Sequence, residues 1–366
     1  MRRWSSRADR RDPPRVPFED LDRVLLVKLR SLGDCVLTTP CLKILKARHP
    51  RLRVDVAVED RFRAVFEGNP LVHRTWPIPW DGRRYFRHRR LRKSLGHGLR
   101  EAHFDAVLDF SGSMTSRVIM RLTGAPVRAG FGQYHLPHCY THLVGNPARY
   151  FPGEKLHNVQ FLAGLLRGLG VELPSPLPPT ELHVPEPARR SAADRLSAAG
   201  IGDGPLVLVQ PTATLASKQW PPERFGEVVR GLHRDRPCRI LLTCARHEAG
   251  IAREVARAAG EDLPVFDDIS LPELAALMER ASLFLGCDSG PAHMAAALGR
   301  PVCVIFGSSN RDLWHPWGEG HAVISLDLPC NPCPGKQCPQ PRPLACILDI
   351  PAERVLRAVM EWLPRG

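Results

Sequence analysis

A short polar turn in the second half of the chain carries residue types that can bind a charged ligand. The apolar run at residues 283–285 breaks at Gly286, Asp288, Ser289 and Gly290 form the polar turn, and His293 comes three residues after Gly290. This pattern predicts a buried strand, a turn and a short helix, and the unpaired N–H groups at such a helix start attract anions. The turn's side chains can bind sugar hydroxyls or cap the helix. Two interpretations remain open. The turn is either a site for a nucleotide diphosphate that carries a polyol or a purely structural turn.

A second polar loop follows the apolar run at residues 206–209. It contains Thr212, Thr214, Ser217 and Lys218, which offer hydroxyl and ammonium donors close to one predicted strand end. Donors of this kind suit the oxygens of a diphosphate. We therefore expect this loop to share a ligand with the turn at residues 288–290.

The first half of the chain has a comparable loop, RSLGD at residues 30–34, directly after the apolar run at residues 24–27. The loop places Asp34 near the start of the following helix, where the helix dipole favours an ionised carboxylate. An ionised carboxylate can act as a general base. It can equally serve only as the cap of its own helix, and position alone favours the cap.

Residues 83–93 read RRYFRHRRLRK, with seven Lys/Arg side chains among two aromatic residues and a leucine. Such a run is commonly just solvated. Arginines interleaved with aromatic residues also suit a surface that holds phosphates while it rests on lipid or on bases.

The tail contains four clustered cysteines, Cys330, Cys333, Cys338 and Cys346, in the spacing CxxC-x4-C-x7-C. Clustered thiols can form a structural zinc or iron–sulfur site. The spacing is not a standard zinc-knuckle pattern, and the surrounding prolines suit a loop. We therefore expect no metal here, with a site at these four thiols as the less favoured alternative.

Strand, loop and helix patterns alternate along both halves, which predicts an α/β protein with parallel sheets. We expect a disordered basic extension at residues 1–22, domains at residues 23–180 and 181–350, and a terminal helix at residues 351–366. The proline-rich segment 173–187 is the predicted linker. Within the stretch described first, we expect Pro291 at the first position of its helix.

The composition suits a protein with two hydrophobic cores and an anionic partner. The chain has 366 residues, of which 43% are hydrophobic, and its formal net charge of +13 favours nucleic acid, an acidic membrane surface or a phosphorylated substrate. No apolar run is long enough to span a bilayer, and no apolar segment of a secretory signal follows the basic start. We expect a cytoplasmic protein, and most of the eleven cysteines lie in apolar segments where they act as small hydrophobes.

Four segments taken together resemble the lipopolysaccharide heptosyltransferases of glycosyltransferase family 9. They read VLLVKLRSLGDCVLTTPCLKILKARHP, FDAVLDFSGSMTSRVIMRLTGAPVRAGF, VQPTATLASKQWPPERF and LFLGCDSGPAHMAAALGRPVCVIFG. The resemblance covers nearly the whole chain from Arg23 onward. It implies a GT-B fold, with two Rossmann-like domains that face each other across a cleft, the acceptor on the first domain and ADP-heptose on the second.

The resemblance also implies roles for individual residues. Asp34 matches the general base, and Lys218 matches the lysine that neutralises the leaving diphosphate. The implied donor site comprises Thr212, Thr214, Ser217, Lys218, Glu248, Asp288, Ser289, Gly290 and His293. We expect the acceptor site to comprise Ser31, Gly33, Arg83, Arg84 and Arg87. No Asp-x-Asp metal motif is evident in the sequence, so we expect a metal-independent reaction without a cofactor.

These features predict an inverting transferase that moves heptose from ADP-L-glycero-D-manno-heptose to the lipopolysaccharide inner core. We expect a monomer at the inner face of the inner membrane, where basic residues contact the anionic surface. Transfer of another nucleotide-activated sugar to a cell-surface glycan is one alternative, and a non-catalytic sugar-nucleotide-binding protein is another. The motif at residues 210–212 reads Gln-Pro-Thr where many family members have His-Pro-Gly. A nucleic-acid-binding protein fits less well, because no motif for reading RNA or DNA is evident.

Overall fold

The chain folds into two compact units, Met1–His183 and Val184–Gly366. The computed structural model describes residues 12–79, 95–333, 338 and 340–363. The division lies between residues 183 and 184, whereas the sequence placed the boundary between residues 180 and 181. Each unit is an α/β sandwich around a parallel sheet, in agreement with the predicted fold class.

The first unit contains a six-stranded sheet in the order β3-β2-β1-β4-β5-β6, and its neighbouring strands are all parallel. The strands are β1 (Arg23–Val27), β2 (Arg53–Glu59), β3 (Arg74–Ile78), β4 (Ala106–Asp109), β5 (Val127–Phe131) and β6 (His142–Val144). The central strands are continuous apolar runs because helices cover both faces of a parallel sheet. All four residues from Val24 to Val27 are fully buried.

Five helices accompany this sheet within the described part of the first unit. They are α1 (Leu32–Val36), α2 (Thr39–Arg48), α3 (Gly96–Glu101), α4 (Met114–Thr123) and α5 (Asn158–Gly168). Helix α4 shows the local signals clearly, since the Ser113 hydroxyl accepts a hydrogen bond from the N–H of Ser116 and Gly124 ends the helix at φ 70°.

The second unit repeats this plan with a sheet in the order β12-β11-β10-β7-β8-β9. Its strands, again all parallel to their neighbours, are β7 (Leu206–Gln210), β8 (Arg239–Thr243), β9 (Val265–Phe266), β10 (Leu283–Cys287), β11 (Val302–Phe306) and β12 (His321–Ser325). Its helices are α6 (Glu186–Ala198), α7 (Pro222–Asp235), α8 (Ala249–Ala259), α9 (Leu271–Arg280), α10 (Gly290–Ala297), α11 (Arg311–Trp314), α12 (Ala345–Leu348) and α13 (Ala352–Trp362).

Both sheets follow the strand order of a dinucleotide-binding fold, in which the order reverses between the first and fourth strands. The reversal lies between β1 and β4 in the first sheet and between β7 and β10 in the second. Loops that leave the carboxyl ends of two such strands diverge and open a crevice for a ligand. The loops singled out from the sequence at residues 30–34, 212–218 and 288–290 leave three of these four strands, β1, β7 and β10.

Two expectations need correction. The disorder expected at residues 1–22 does not hold for the described residues 12–22, because Val16 and Phe18 are buried and the Val16 N–H donates to the carbonyl of Leu169 at 3.0 Å. Helix α10 begins at Gly290 rather than at Pro291, since Ser289 has the extended backbone of an N-cap.

Among the described residues, no helix has both the length and the apolar character that crossing a membrane requires.

The contact between α7 and α8 provides a stability test for the second unit. A Cβ atom added at Gly226 would lie 2.5 Å from the Cβ of Ala258 and 2.8 Å from the backbone nitrogen of Ala259. We expect Gly226→Ala to reduce the free energy of unfolding by about 1–3 kcal/mol, because backbone atoms must move to admit the methyl group. Urea unfolding followed by circular dichroism would measure the change.

Gly250, near the start of α8, is the matched control, because a Cβ atom there meets nothing within 4 Å. Gly250→Ala is expected to leave the stability unchanged or to raise it by up to about 1 kcal/mol. Equal stability of the two variants would contradict the tight packing at Gly226.

Candidate functional site

A lysine and an aspartate form an ion pair at the reversal point of the second sheet. The Nζ atom of Lys218 lies 2.8 Å from Oδ2 of Asp288, and their side chains are 27% and 5% exposed. Asp288 directly follows β10, and Lys218 ends a 3₁₀ turn, Ala216–Lys218, in the loop that follows β7. The structure thus brings together the two loops that the sequence assigned to one ligand.

The 3₁₀ turn is held in place by the loop after β11. The Ser308 hydroxyl donates to the Ser217 hydroxyl at 2.8 Å, and the Ser308 N–H donates to the Ser217 carbonyl at 3.2 Å. Gly307 has no room for a side chain, because a Cβ atom there would lie 2.2 Å from the Ser217 carbonyl oxygen. Ser217 therefore positions the backbone next to Lys218, and its hydroxyl is already used within the protein.

A second polar cluster joins the ends of β7 and β8. Thr212 donates to Oε2 of Glu248 at 2.8 Å, and the N–H of Ala245 donates to the same oxygen at 3.1 Å. Gln210 donates to Thr212 at 2.9 Å and accepts from Thr243 at 2.9 Å. Glu248 is thus fixed at the carboxyl edge of the sheet with its side chain 21% exposed.

The remaining donor candidates differ in their surroundings. Ser289 stands at the N-cap of α10, and its buried Oγ atom has no hydrogen-bond partner among the described residues. Gly290 is the first residue of that helix, and His293 is buried within it. Thr214 is exposed in the loop before the 3₁₀ turn. The start of α10 therefore offers N–H groups and a hydroxyl beside the Lys218–Asp288 pair.

In the first unit, Asp34 both caps its helix and pairs with a lysine. Its Oδ2 atom accepts hydrogen bonds from the hydroxyl and N–H of Ser31, at 2.8 and 3.2 Å, so Asp34 helps to cap α1. Its Oδ1 atom lies 2.8 Å from Nζ of Lys28, and the Asp34 side chain is 23% exposed. Gly33 is buried in the first turn of α1.

These contacts keep Asp34 ionised. Burial raises the pKa of Asp34, but the charge of Lys28 and the hydrogen bonds from Lys28 and Ser31 together bring the pKa below its ordinary value. A carboxylate that is ionised and partly exposed at a strand end can accept a proton from a bound hydroxyl.

A buried carboxylate organises the neighbouring loop, which leaves β4. The N–H groups of Ser111 and Gly112 donate to one oxygen of Asp109, and the hydroxyls of Ser116 and Tyr140 donate to the other, at 2.7–3.0 Å. Burial nevertheless raises the pKa of Asp109. Ser111 in turn accepts a hydrogen bond from the N–H of Leu29 at 2.8 Å, which ties this loop to the end of β1.

The four tail cysteines lie near one another in the second unit. Cys330, Cys338 and Cys346 line a pocket of about 370 Å³, and burial followed by the neighbouring thiols raises the pKa of Cys346. The N–H of Cys333 donates to the Ser308 carbonyl at 2.9 Å. Across the parts of the chain that the structure describes, no three His, Cys, Asp or Glu residues are arranged to hold a metal ion.

Two further points concern the sequence predictions. The predicted acceptor residues Arg83, Arg84 and Arg87 lie outside the described residues. Lys28 was not among the predicted site residues, although a lysine placed directly after a buried strand and six residues before Asp34 is a usable signal.

Comparisons with known proteins identify the family of this chain. Residues 92–343 match the family model of glycosyltransferase family 9 (heptosyltransferase). The lipopolysaccharide heptosyltransferase 3 of Escherichia coli K12 is 28% identical over 301 residues, which cover 80% of this chain and 84% of that protein.

Two solved structures share the fold. A family 9 glycosyltransferase from Veillonella parvula superposes with a TM-score of 0.79 at 21% identity, over 94% of this chain and 97% of the other. The ADP-heptose lipopolysaccharide heptosyltransferase II of E. coli superposes with a TM-score of 0.74 at 21% identity, over 93% and 98% of the two chains. With two parallel Rossmann-like sheets, a GT-B fold and a family match over most of its length, the chain belongs to glycosyltransferase family 9 and is a glycosyltransferase.

Proposed function

We propose that this glycosyltransferase moves heptose from ADP-L-glycero-D-manno-heptose to the lipopolysaccharide inner core, with inversion at the anomeric carbon. The observation that carries the proposal is the Lys218–Asp288 pair beside the start of α10, at the reversal point of the second sheet. A cation and a helix start side by side suit a diphosphate, and an adjacent carboxylate suits sugar hydroxyls.

The donor is bound by the second unit. The Lys218 ammonium and the first N–H groups of α10 contact the diphosphate, while Asp288 accepts hydrogen bonds from the heptose. The hydroxyls of Thr214 and Ser289, the amide of Gly290 and the ring of His293 complete this site. Thr212 and Ser217, whose hydroxyls bond to Glu248 and Ser308, hold its loops in place. Glu248, whose carboxylate Thr212 holds near the end of β8, lies on the adenosine side of the donor in this proposal.

The chemical step is a single displacement assisted by a general base. Asp34 takes the proton of the acceptor hydroxyl as its oxygen attacks the anomeric carbon, and the bond to the diphosphate breaks on the opposite face. Lys218 and the dipole of α10 stabilise the negative charge that develops on the leaving ADP. Because one displacement occurs, the anomeric configuration inverts.

The acceptor is an anionic glycolipid on this proposal. A net charge of +13 attracts a phosphorylated core and an anionic leaflet, and two of the three proteins compared above are named for lipopolysaccharide heptosyl transfer. On this proposal Ser31 and Gly33, which border Asp34, belong to the acceptor site, and the basic run at residues 83–93 supplies further charge. The enzyme then acts as a monomer at the cytoplasmic face of the inner membrane.

Release of ADP by the purified protein tests the function. We expect release of ADP from ADP-heptose only when a heptose-deficient lipopolysaccharide core is added, and no comparable release of UDP or GDP from UDP- or GDP-sugars. Activity with a UDP- or GDP-sugar and none with ADP-heptose would replace the proposed donor. Tight binding of ADP-heptose without turnover on any core acceptor would instead favour the non-catalytic binding protein.

A further inference from the structure

Lys28 is a buried lysine that has no role in the reaction as described so far. It directly follows β1, and it is only 5% exposed. Its Nζ atom contacts Oδ1 of Asp34 at 2.8 Å and the carbonyl of Phe110 at 3.5 Å. A buried ammonium needs an anionic partner to offset its lost hydration, and Asp34 is that partner.

The contacts of Asp34 also fix its orientation. Lys28 holds one carboxylate oxygen from the β1 side, and Ser31 holds the other from the start of α1. Rotation of the carboxylate would break both sets of contacts. The side chain remains partly exposed, so that one face of the carboxylate can still meet an acceptor hydroxyl.

We propose that Lys28 is a positioning residue for the reaction, which holds the Asp34 carboxylate ionised and correctly turned for proton abstraction. This inference rests on the proposed role of Asp34 as the base. Lys28 itself does not touch the sugar substrates, because its ammonium is enclosed by Asp34 and by the loop after β4.

The other titratable groups around this pair do not take over its role. Glu59 at the end of β2 is paired with Arg61 at 2.9 Å. Burial raises the pKa of the Cys35 thiol in α1 and of the Tyr134 hydroxyl, so that both stay protonated near neutral pH. The oxygens of Asp109, whose pKa burial also raises, are taken by the four donors described above.

The pH dependence of kcat/KM for acceptor-dependent ADP release tests the proposal. Lys28 lowers the pKa of Asp34, so Lys28→Met raises it, and the base is then protonated over a wider acidic range. A cation within hydrogen-bond distance lowers a carboxyl pKa by about 1–3 units. We therefore expect the acidic limb of the profile to move upward by about 1–3 pH units, with activity that recovers at high pH.

Two further variants sharpen this test. Lys28→Arg keeps the charge, and its acidic limb is expected to stay near that of the wild type. Lys43→Met is the matched control, because Lys43 forms another 2.8 Å ion pair in the same unit, with Glu181, and its removal is expected to leave the limb in place. An acidic limb that stays in place in Lys28→Met, with or without a loss of activity, would overturn the proposal.

A readout without turnover separates this inference from the proposed function. Thermal unfolding of Lys28→Met, Asp34→Asn and the double variant forms a double-mutant cycle. If Lys28 serves Asp34, the shift in Tm caused by Lys28→Met becomes smaller once Asp34 is already neutral. Additive shifts in Tm would refute the pairing. If the shifts in Tm are coupled but the wild-type protein releases no ADP, only the proposed function is refuted.

Discussion

Replacing Asp34 by asparagine is expected to lower kcat for acceptor-dependent ADP release about a hundredfold or more, the usual cost of losing a general base. Asparagine has the size of aspartate and can still accept the hydrogen bonds of Ser31, but its amide cannot take up a proton. The affinity for ADP, measured by calorimetry, is expected to stay the same, because Asp34 lies in the first unit and the proposed donor residues lie in the second.

Asp60→Asn is the matched control for that variant, because Asp60 is a 56% exposed aspartate of the same unit, paired with Arg63. It is expected to retain wild-type kcat. If Asp34→Asn also retained kcat within a few-fold, Asp34 would be only the cap of α1.

The second large effect is expected at Lys218. Lys218→Met removes the cation proposed to stabilise the leaving diphosphate, and the loss of one such group lowers kcat by about a hundredfold to a thousandfold. Because the charge on ADP grows during bond cleavage, kcat is expected to fall more than the affinity for the donor. Steady-state kinetics with varied ADP-heptose at saturating acceptor would separate the two quantities.

Arg189→Met serves as the control for the loss of a positive charge in the second unit, because Arg189 pairs with Glu279 on the surface at 2.8 Å. Its kcat is expected to match the wild type. A Lys218→Met variant that changes KM alone, with kcat intact, would show that Lys218 binds the donor equally in the ground state and the transition state.

The central strands of both sheets could be predicted from sequence, whereas several edge strands could not. Runs such as residues 24–27 and 206–209 are wholly apolar because both faces of a central strand are covered. Strand β3 (Arg74–Ile78) contains a proline, which an edge strand tolerates, and only Trp76 and Ile78 are buried in it. The sequence of β3 therefore lacks the continuous apolar run that marks a central strand.

The loops of the candidate site could be predicted from the sequence, but most of the contacts between them could not. The loop at residues 212–218 and the turn at residues 288–290 were both identified, and the contact between Lys218 and Asp288 agrees with a shared ligand. That β7 and β10 are neighbours depends on strand order, which no local pattern encodes. Lys28 was missed because a lysine after an apolar run ordinarily lies at the solvent-exposed end of a strand. Its partner Asp34 is also six residues away, whereas neighbours on a helix are three or four residues apart.

The hydrogen bonds that link Ser217, Ser308 and Cys333 have a consequence for building chimeras. They join the turn that carries Lys218, the loop after β11 and the cysteine-containing tail into one hydrogen-bonded assembly. A chimera joined at residues 183 and 184 inherits this assembly from a single parent. A junction placed between residues 217 and 308 combines a turn from one parent with its support from another, and we expect such grafts to misplace the lysine even when both parents are active.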